Sequence, residues 1–364
     1  MKKIIVAFIL LFTIFQTSSA QMDLPPSGAN PRATITEEVG ITSITIKYSR
    51  PDVSGREGKV WGTLVTYGFT SQNLNTNKND MPWRAGANET TMITFEHDVK
   101  VEGQPLKAGT YGLYMAVWPE KATIIFSKQA DAWGSFFYEE KNDVLRVDVK
   151  PVALDKSVEY LKYEFIEHKE KYCVIALQWE KISIPFKVDV DVENIVLARM
   201  REQVTGQRGF TPLNLTAAAN YFLNKNINLE EALAWSQRAG NFKSFATLNT
   251  LGTAYTKLNR LKEADSTMNE ALVFANPGQY LAYGRNLITA KRLDRALEIF
   301  NANQKKNGDV FQVNAGFMSY YSAKGDFKKA LEYADKALAQ APDPAKPTVT
   351  ANIAKLKEGK DINQ

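Results

Sequence analysis

The feature that most constrains this fold is a repeat in the C-terminal half of the chain. Small residues recur there at spacings of 32, 32 and 34 residues, each in an E-A-L, E-A-D, R-A-L or K-A-L context: Ala232, Ala264, Ala296 and Ala330. A unit of this length cannot bury its apolar face alone, so copies stack on one another. The spacing therefore predicts an array of helical hairpins over residues 212–345, followed by a capping helix and tail over residues 346–364.

The residues around these alanines resemble the tetratricopeptide repeat. The fullest matches are Leu251-Gly252, Tyr255, Ala264, Met268, Ala271 and Pro277 in the second unit, and Tyr321, Gly325-Asp326, Phe327, Ala330, Ala334, Ala337 and Pro342 in the fourth. The third unit departs from the pattern at Leu287 and Asn303, and the first lacks its Gly and Tyr. The resemblance implies an α-solenoid whose helices cross closely at small residues, with a generic array of helical hairpins as the alternative.

The first half of the chain alternates apolar and polar residues, which is the pattern of half-buried strands. The apolar sets include Ile44, Ile46 and Tyr48; Ile93, Phe95, Val99 and Val101; and Ile182, Ile184, Phe186 and Val188. Many short strands without helical segments between them predict an all-β domain over residues 32–192, an antiparallel sandwich or barrel-like fold. Residues 193–211 are then a linker or helical connection.

The N-terminus has the three parts of a cleavable secretory signal in the required order. Lys2 and Lys3 precede an uncharged apolar run over residues 4–15, and Ser18-Ser19-Ala20 provides a small-residue cleavage site. An N-terminal membrane anchor is the alternative, but the run is shorter than the roughly 20 apolar residues that a spanning helix needs. We therefore expect residues 1–20 to be removed and residues 21–31 to form a flexible N-terminal segment.

Cysteine content and charge limit the compartment and the partners. Cys173 is the only cysteine, so it provides neither an internal disulfide nor a cysteine at the cleavage point for a lipid anchor. The net charge of +5 is weak and no basic cluster stands out, which argues against nucleic acid as a partner. No later segment is long enough to span a membrane, so the sequence predicts a periplasmic or secreted protein without a membrane span.

No standard catalytic signature is present in the chain. The patterns H-E-x-x-H, G-x-S-x-G and G-x-x-x-x-G-K-[ST] are all missing. The only histidines are His97 and His168, which nearly excludes a multi-histidine metal site. We assign no catalytic residue, no metal and no cofactor, and an enzyme is the less favoured class.

A polar and aromatic motif, W-R-A-G-A-N-E-T, precedes one of the predicted strands. Trp83 offers a stacking face, Arg84 a planar fork for carboxylate, phosphate or sugar oxygens, and Asn88 and Glu89 add further polar groups. A loop on a rigid sheet can present such groups to a polar ligand. The alternative is a structural loop, in which Arg84 pairs with Glu89, Trp83 belongs to the core and Asn88 caps a turn.

Four more residues complete the candidate ligand-binding set. His97 is in step with the apolar residues of its predicted strand, so strict alternation directs it to the core. A hydrogen-bonded core histidine and a ligand or general-base role are both compatible with that position. Arg50, Arg56 and Tyr111 flank predicted turns and strands, where roles as turn formers or core fillers are the alternative.

The ordered motifs resemble an uncharacterised domain family of exported proteins in outer-membrane-bearing bacteria. They are Tyr48-Ser49-Arg50-Pro51, Gly55-Arg56, Trp61-Gly62, Tyr67-Gly68, the hallmark W-R-x-G-A-N-E-x-T from Trp83 to Thr91, and Ala108-Gly109-Thr110-Tyr111-Gly112. The resemblance spans about residues 31–189 and implies no assigned activity. The chain departs from the family in residues 69–82, where it carries a long polar insertion in place of a short link, which would partly cover the motif.

Three functional hypotheses follow. The first is an exported cell-envelope interaction protein, whose helical-repeat groove binds a protein or peptide and whose β domain binds a small polar or glycan ligand or a partner. The second is a hydrolase or carbohydrate-active enzyme that uses Glu89, His97 and Arg84. The third is a structural spacer, in which the motif only stabilises the fold. The first is favoured because repeat arrays usually bind and because no catalytic signature is present.

Overall fold

The computed structural model describes residues 30–71 and 80–363, which divide into two compact units. One unit extends to Ala198 and the other begins at Arg199. The predicted signal peptide, residues 1–20, lies outside the described residues, as does most of the segment 21–31. Within the part of the chain that the structure describes, no helix has the length and apolarity needed to cross a bilayer.

The described residues of the first unit form ten strands. They are β1 (Arg32–Val39), β2 (Thr42–Ser49), β3 (Thr91–Phe95), β4 (Val99–Val101), β5 (Gln104–Leu106), β6 (Gly109–Val117), β7 (Ala122–Ser127), β8 (Asp143–Val149), β9 (Val152–Lys169) and β10 (Tyr172–Val190). Six form one antiparallel sheet in the order β1-β2-β3-β6-β7-β8, and four form a second in the order β5-β4-β10-β9. The all-β prediction for this half is confirmed.

The core of this unit lies between the two sheets. Ile44, Ile46 and Ile93 of the larger sheet are fully buried, as their alternation predicts. The ring of Phe126 in β7 meets that of Phe186 in β10 edge-on, with centroids 6.3 Å apart. Edge-to-face contacts of this kind add to the free energy gained from burial alone.

The predicted strand from Thr91 to Val101 is interrupted. β3 ends at Phe95 and pairs in the larger sheet, whereas β4 begins at Val99 and pairs in the smaller one. His97 lies in the bend between them and is half-buried, so the expectation that alternation directs it to the core is wrong. The alternation survives on both sides because each strand turns its odd-numbered residues to the same core.

The second unit consists of helical hairpins. In chain order the helices are α1 (Val192–Thr205), α2 (Pro212–Lys225), α3 (Leu229–Gly240), α4 (Phe245–Lys257), α5 (Leu261–Val273), α6 (Pro277–Thr289), α7 (Leu293–Asn307), α8 (Phe311–Ala323), α9 (Phe327–Gln340) and α10 (Lys346–Lys357), of which α1 begins in the first unit. The pairs α2/α3, α4/α5, α6/α7 and α8/α9 correspond to the four sequence units. The predicted combination of a β domain with an α-solenoid is confirmed.

Small residues allow these helices to approach closely. The four repeat alanines are at most 1% exposed. The ring of Phe300 in α7 lies between Gly284 of α6 and Gly316 of α8. A Cβ atom at Gly316 would be 2.5 Å from Phe300 Cδ1, and one at Gly284 would overlap the same ring. Glycine is therefore required on both sides of this aromatic side chain.

Candidate functional site

The loop of residues 83–89 is fastened to strands on both sides. Trp83 and Met115 of β6 exchange two backbone hydrogen bonds of 2.9 and 2.8 Å. Further along the loop, the Ala87 N–H donates to the carbonyl of Ser49, the last residue of β2, at 3.1 Å. Arg84 lies between these two attachments, so rigid strands determine its position.

The backbone inside the 83–89 loop is strained. Ala85 and Asn88 have φ angles of 53° and 59°, in the left-handed region that residues other than glycine seldom adopt. The Ala85 carbonyl accepts hydrogen bonds from Thr91 Oγ1 at 3.0 Å and Tyr163 Oη at 2.9 Å. Strain of this kind persists only where the surrounding contacts hold it, and it is common at binding sites.

A pocket of about 270 Å³ lies against this loop. Its walls include Arg56, Met81, Trp83, Arg84, Ser135 and Trp179. Pockets that bind small molecules typically have volumes of roughly 300–1,000 Å³, and this one lies near the lower end of that range. It is therefore large enough for a small organic ligand.

Three indole rings pack together beside the pocket. Trp83 stacks on Trp179 with centroids 6.1 Å apart and an angle of 18°, and Trp61 meets both rings edge-on. The Nε1 of Trp83 donates to the Gly86 carbonyl at 3.2 Å. The Nε1 atoms of Trp61 and Trp179 are buried and find no acceptor among the described residues. Buried donors without an acceptor are rare in folded proteins.

The Arg84 side chain has no counter-ion among the described residues. It is half-buried, and its Nε is sealed from water without a hydrogen bond. Burial lowers the pKa of the guanidinium from its usual value, and no carboxylate offsets that shift. Arg84 thus brings an uncompensated positive charge to the wall of the pocket.

The other two candidate arginines are occupied by structural contacts. Arg56 lines the pocket but donates from Nη2 to the backbone and side chain of Asp52, at 2.8 Å each, and from Nε to the Val53 carbonyl. Arg50 donates from Nε to the Leu161 carbonyl at 2.9 Å and lies over the ring of Tyr160. Arg56 thus holds its own turn, and Arg50 joins two segments of the β unit that are distant in sequence.

Asn88 and Glu89 face other partners. Asn88 Oδ1 accepts from Asn30 Nδ2 at 3.2 Å, and Glu89 pairs with Arg32 of β1 while also accepting from Ser49 Oγ at 3.2 Å. The pair that the structural alternative expects, Arg84 with Glu89, is replaced by a pair with Arg32. Glu89 borders a separate pocket with Arg32 and Ser49, not the one that Arg84 lines.

His97 and Tyr111 lie away from this loop. His97 Nδ1 is 3.2 Å from Thr42 Oγ1, at the start of β2, whereas Glu89 contacts Ser49 at its end. The two ends are seven residues apart, or about 23 Å at roughly 3.3 Å per residue. Tyr111 is buried, donates from Oη to the Lys107 carbonyl at 2.8 Å and packs against aromatic core residues.

The described ends of the insertion predicted over residues 69–82 contribute to the wall of the pocket. Thr70 and Met81 exchange two backbone hydrogen bonds of 3.0 Å, and both line the pocket. Phe69 packs near Trp118, with centroids 6.2 Å apart. The expected covering of the motif by this segment rests largely on residues 72–79, which lie outside the described residues.

Sequence reasoning missed most of the residues that line the pocket, among them Trp179 and Ser135. Trp179 reaches it from β10, nearly a hundred positions beyond the motif, and Ser135 reaches it from the connection between β7 and β8. Neither belongs to a local pattern that marks a site. The one usable signal is the position of Trp179 in a long, buried strand, where an indole needs an acceptor for its N–H.

Residues 30–188 match the family model described as "Protein of unknown function (DUF2911)". The match ends before the helical repeats begin. No curated protein matches the chain.

Solved structures of tetratricopeptide repeat proteins are also similar to the chain. One from Parabacteroides merdae ATCC 43184 is 18% identical with a TM-score of 0.33, and the match covers 46% of this chain and 65% of that one. YrrB, described as a TPR protein with an unusual peptide-binding site, is 19% identical with a TM-score of 0.30, and the match covers 45% and 86%. The chain thus spans less than two thirds of the Parabacteroides protein.

Proposed function

We propose that this protein is an interaction protein of the cell envelope with two binding modules. In this proposal the β unit holds a small polar ligand in the pocket beside Trp83 and Arg84, and the helical repeats bind a protein or peptide segment. The observation that carries the proposal is Arg84, a half-buried cation at the wall of a pocket without a counter-ion among the described residues. A charge in that position costs free energy unless something binds it.

The geometry favours binding over catalysis. The enzyme hypothesis needs Glu89 and His97 close to Arg84, but Glu89 is paired with Arg32, and His97 lies at the opposite end of β2. The described residues that line the pocket include neither a carboxylate nor a histidine. The described walls therefore offer no carboxylate or imidazole that could act as a general acid or base.

The helical unit supports the second module. The described residues of this unit form four consecutive helical hairpins, and such arrays typically offer an extended surface to a peptide or protein. Export to the periplasm or beyond is the part of the proposal that rests on residues 2–20 alone. N-terminal sequencing of the protein recovered from its native host tests it, and an intact N-terminus would contradict cleavage.

Equilibrium dialysis of the full chain against a small-molecule extract tests the ligand module. Wild type should enrich at least one compound, and Arg84→Met should lose that enrichment because the unpaired charge is removed. Arg199→Met removes an exposed arginine that pairs with Glu202 and is the charge-matched control. Equal enrichment by wild type and Arg84→Met, or none by wild type, would reject the module.

A further inference from the structure

Two indole N–H groups beside the Trp83 pocket have no acceptor among the described residues. Trp179 is 1% exposed and lines the pocket, and its Nε1 has no acceptor in the described ranges 30–71 and 80–363. Trp61, which touches both neighbouring indoles, is in the same state. Both nitrogen atoms are sealed from water, so they add no donor that a ligand in the pocket reaches.

The charge at the pocket wall is also unbalanced. Only the Nε of the Arg84 guanidinium is sealed from water, so its two Nη groups remain reachable. Neither makes an ion pair with a described residue. Arg56, the second arginine of the wall, already donates to Asp52. The two Nη groups of Arg84 are thus available to donate hydrogen bonds to one anionic group.

The accessible surface of the pocket is mainly polar, and apolar side chains form part of its wall. Leu64, Val65, Met81, Trp83, Phe136 and Trp179 contribute carbon surface to the pocket. A ligand with a hydrocarbon or aromatic body gains free energy from contact with these side chains. A free inorganic anion gains nothing from them.

We infer that this pocket binds a small organic monocarboxylate, with its carboxylate on the Nη groups of Arg84 and its body between the aromatic and aliphatic walls. The inference rests on the proposed ligand-binding role of the β unit. The volume of about 270 Å³ lies near the lower end of the roughly 300–1,000 Å³ typical of small-molecule pockets, so the ligand is small.

The alternatives fit less well. A phosphate carries up to two charges and three acceptor oxygens, but the wall has one unpaired cation. A neutral sugar leaves the Arg84 charge uncompensated. A carboxylate matches the guanidinium in charge and in its planar, bidentate hydrogen-bonding geometry.

Benzoate and benzamide are the matched probes, since they share a ring and differ in charge. Ligand-observed NMR and calorimetry with the full chain should show benzoate binding about tenfold more tightly than benzamide, because only the acid forms a charge-assisted pair. Arg84→Met should weaken benzoate about tenfold and leave benzamide unchanged. Arg84→Lys, which keeps the charge without the fork, should fall between them, and Arg199→Met should behave as wild type. Circular dichroism verifies that each variant is folded.

Several outcomes overturn the inference. They are equal affinity for acid and amide, benzoate binding that survives Arg84→Met, and displacement of benzoate by inorganic phosphate at equal concentration. If these occur while dialysis still recovers a compound in an Arg84-dependent way, the ligand module stands and only its ligand class is wrong. If wild type binds neither benzoate nor any compound from the extract, both proposals fail together.

Discussion

Two buried regions of this molecule differ in how fully their interior space is filled. In the helical unit, Phe300 occupies the space between two glycines, and Arg292 pairs with Asp265 of the preceding hairpin at 2.5 Å. In the β unit, the space beside Trp83 stays open, and Arg84 meets no acid among the described residues. Phe300 thus fills its space and Arg292 has a carboxylate partner, whereas Arg84 lines an open pocket and has none among the described residues.

This difference distinguishes residues that stabilise the fold from residues that are available to bind a ligand. A buried arginine with a carboxylate partner joins two elements, and its removal leaves the carboxylate buried without a counter-ion. A buried arginine without one has already lost hydration and has gained no partner in return. The same substitution, arginine to methionine, should therefore have opposite effects in the two units.

The largest effect is expected for Phe300→Ala in the filled region. The ring is fully buried, so its loss removes apolar contact and leaves a cavity between α6 and α8. We expect a loss of about 3–5 kcal/mol in the free energy of unfolding, measured by urea titration with far-UV circular dichroism. Phe210→Ala, at a side chain that is 82% exposed, is the control and should change it by less than about 0.5 kcal/mol.

Arg292→Met should give the next largest loss. Its side chain is 27% exposed, and the hydrogen bond to Asp265 raises the pKa of Arg292. Without it, Asp265 keeps only the longer contact to Arg295 at 3.8 Å. We expect a loss of about 1–3 kcal/mol in the same titration. An effect no larger than that of Arg199→Met, whose side chain is 55% exposed, would show that the pair contributes no more than a surface contact.

Arg84→Met should leave the β unit unchanged or stabilise it by up to about 1 kcal/mol, because the cost of desolvating the charge disappears. Tryptophan emission during urea unfolding is the measurement, since five of the six tryptophans precede Ala198. The spacer hypothesis expects the reverse, a loss of about 1–3 kcal/mol. Such a loss would mean that Arg84 stabilises the loop.

Asp148→Asn should have the smallest effect and depend on pH. Hydrogen bonds from Thr123 Oγ1 and Lys121 Nζ lower the pKa of the Asp148 carboxyl. A lowered pKa in the folded state contributes stability above the unfolded value, and that stability disappears as pH falls through the folded value. Because the side chain is largely exposed, we expect a loss of about 0.5 kcal/mol near pH 7. At about pH 2 wild type and variant should be equal; a difference that persists there would point to a neutral contact.

Much of the fold can be predicted from the sequence because the strand alternation and the repeat spacing are both local patterns. Apolar alternation around Ile44 and Ile93 reflects one face of a strand, and the alanine spacing reflects one hairpin. The bend at His97 escapes this reasoning because the residues on either side of it, Phe95 and Val99, face the same core. Alternation predicts which face of a strand a residue occupies, but it does not predict which sheet that strand joins.

The site depends on contacts that no local pattern contains. The motif identifies Trp83 and Arg84, but proximity in sequence suggests Glu89 as the partner of Arg84, and Glu89 pairs instead with Arg32, more than fifty positions away. Trp179 completes the pocket from a distant strand. Charge pairing in three dimensions decides which arginine is free, and only the fold determines it.

The pairing of Thr70 with Met81 has a consequence for protein engineering. Two backbone hydrogen bonds close the chain at the base of residues 71–80, so the length of that stretch is uncoupled from the wall that Thr70 and Met81 provide. A fluorescent reporter or affinity tag grafted between Ser71 and Asp80 should leave benzoate affinity unchanged.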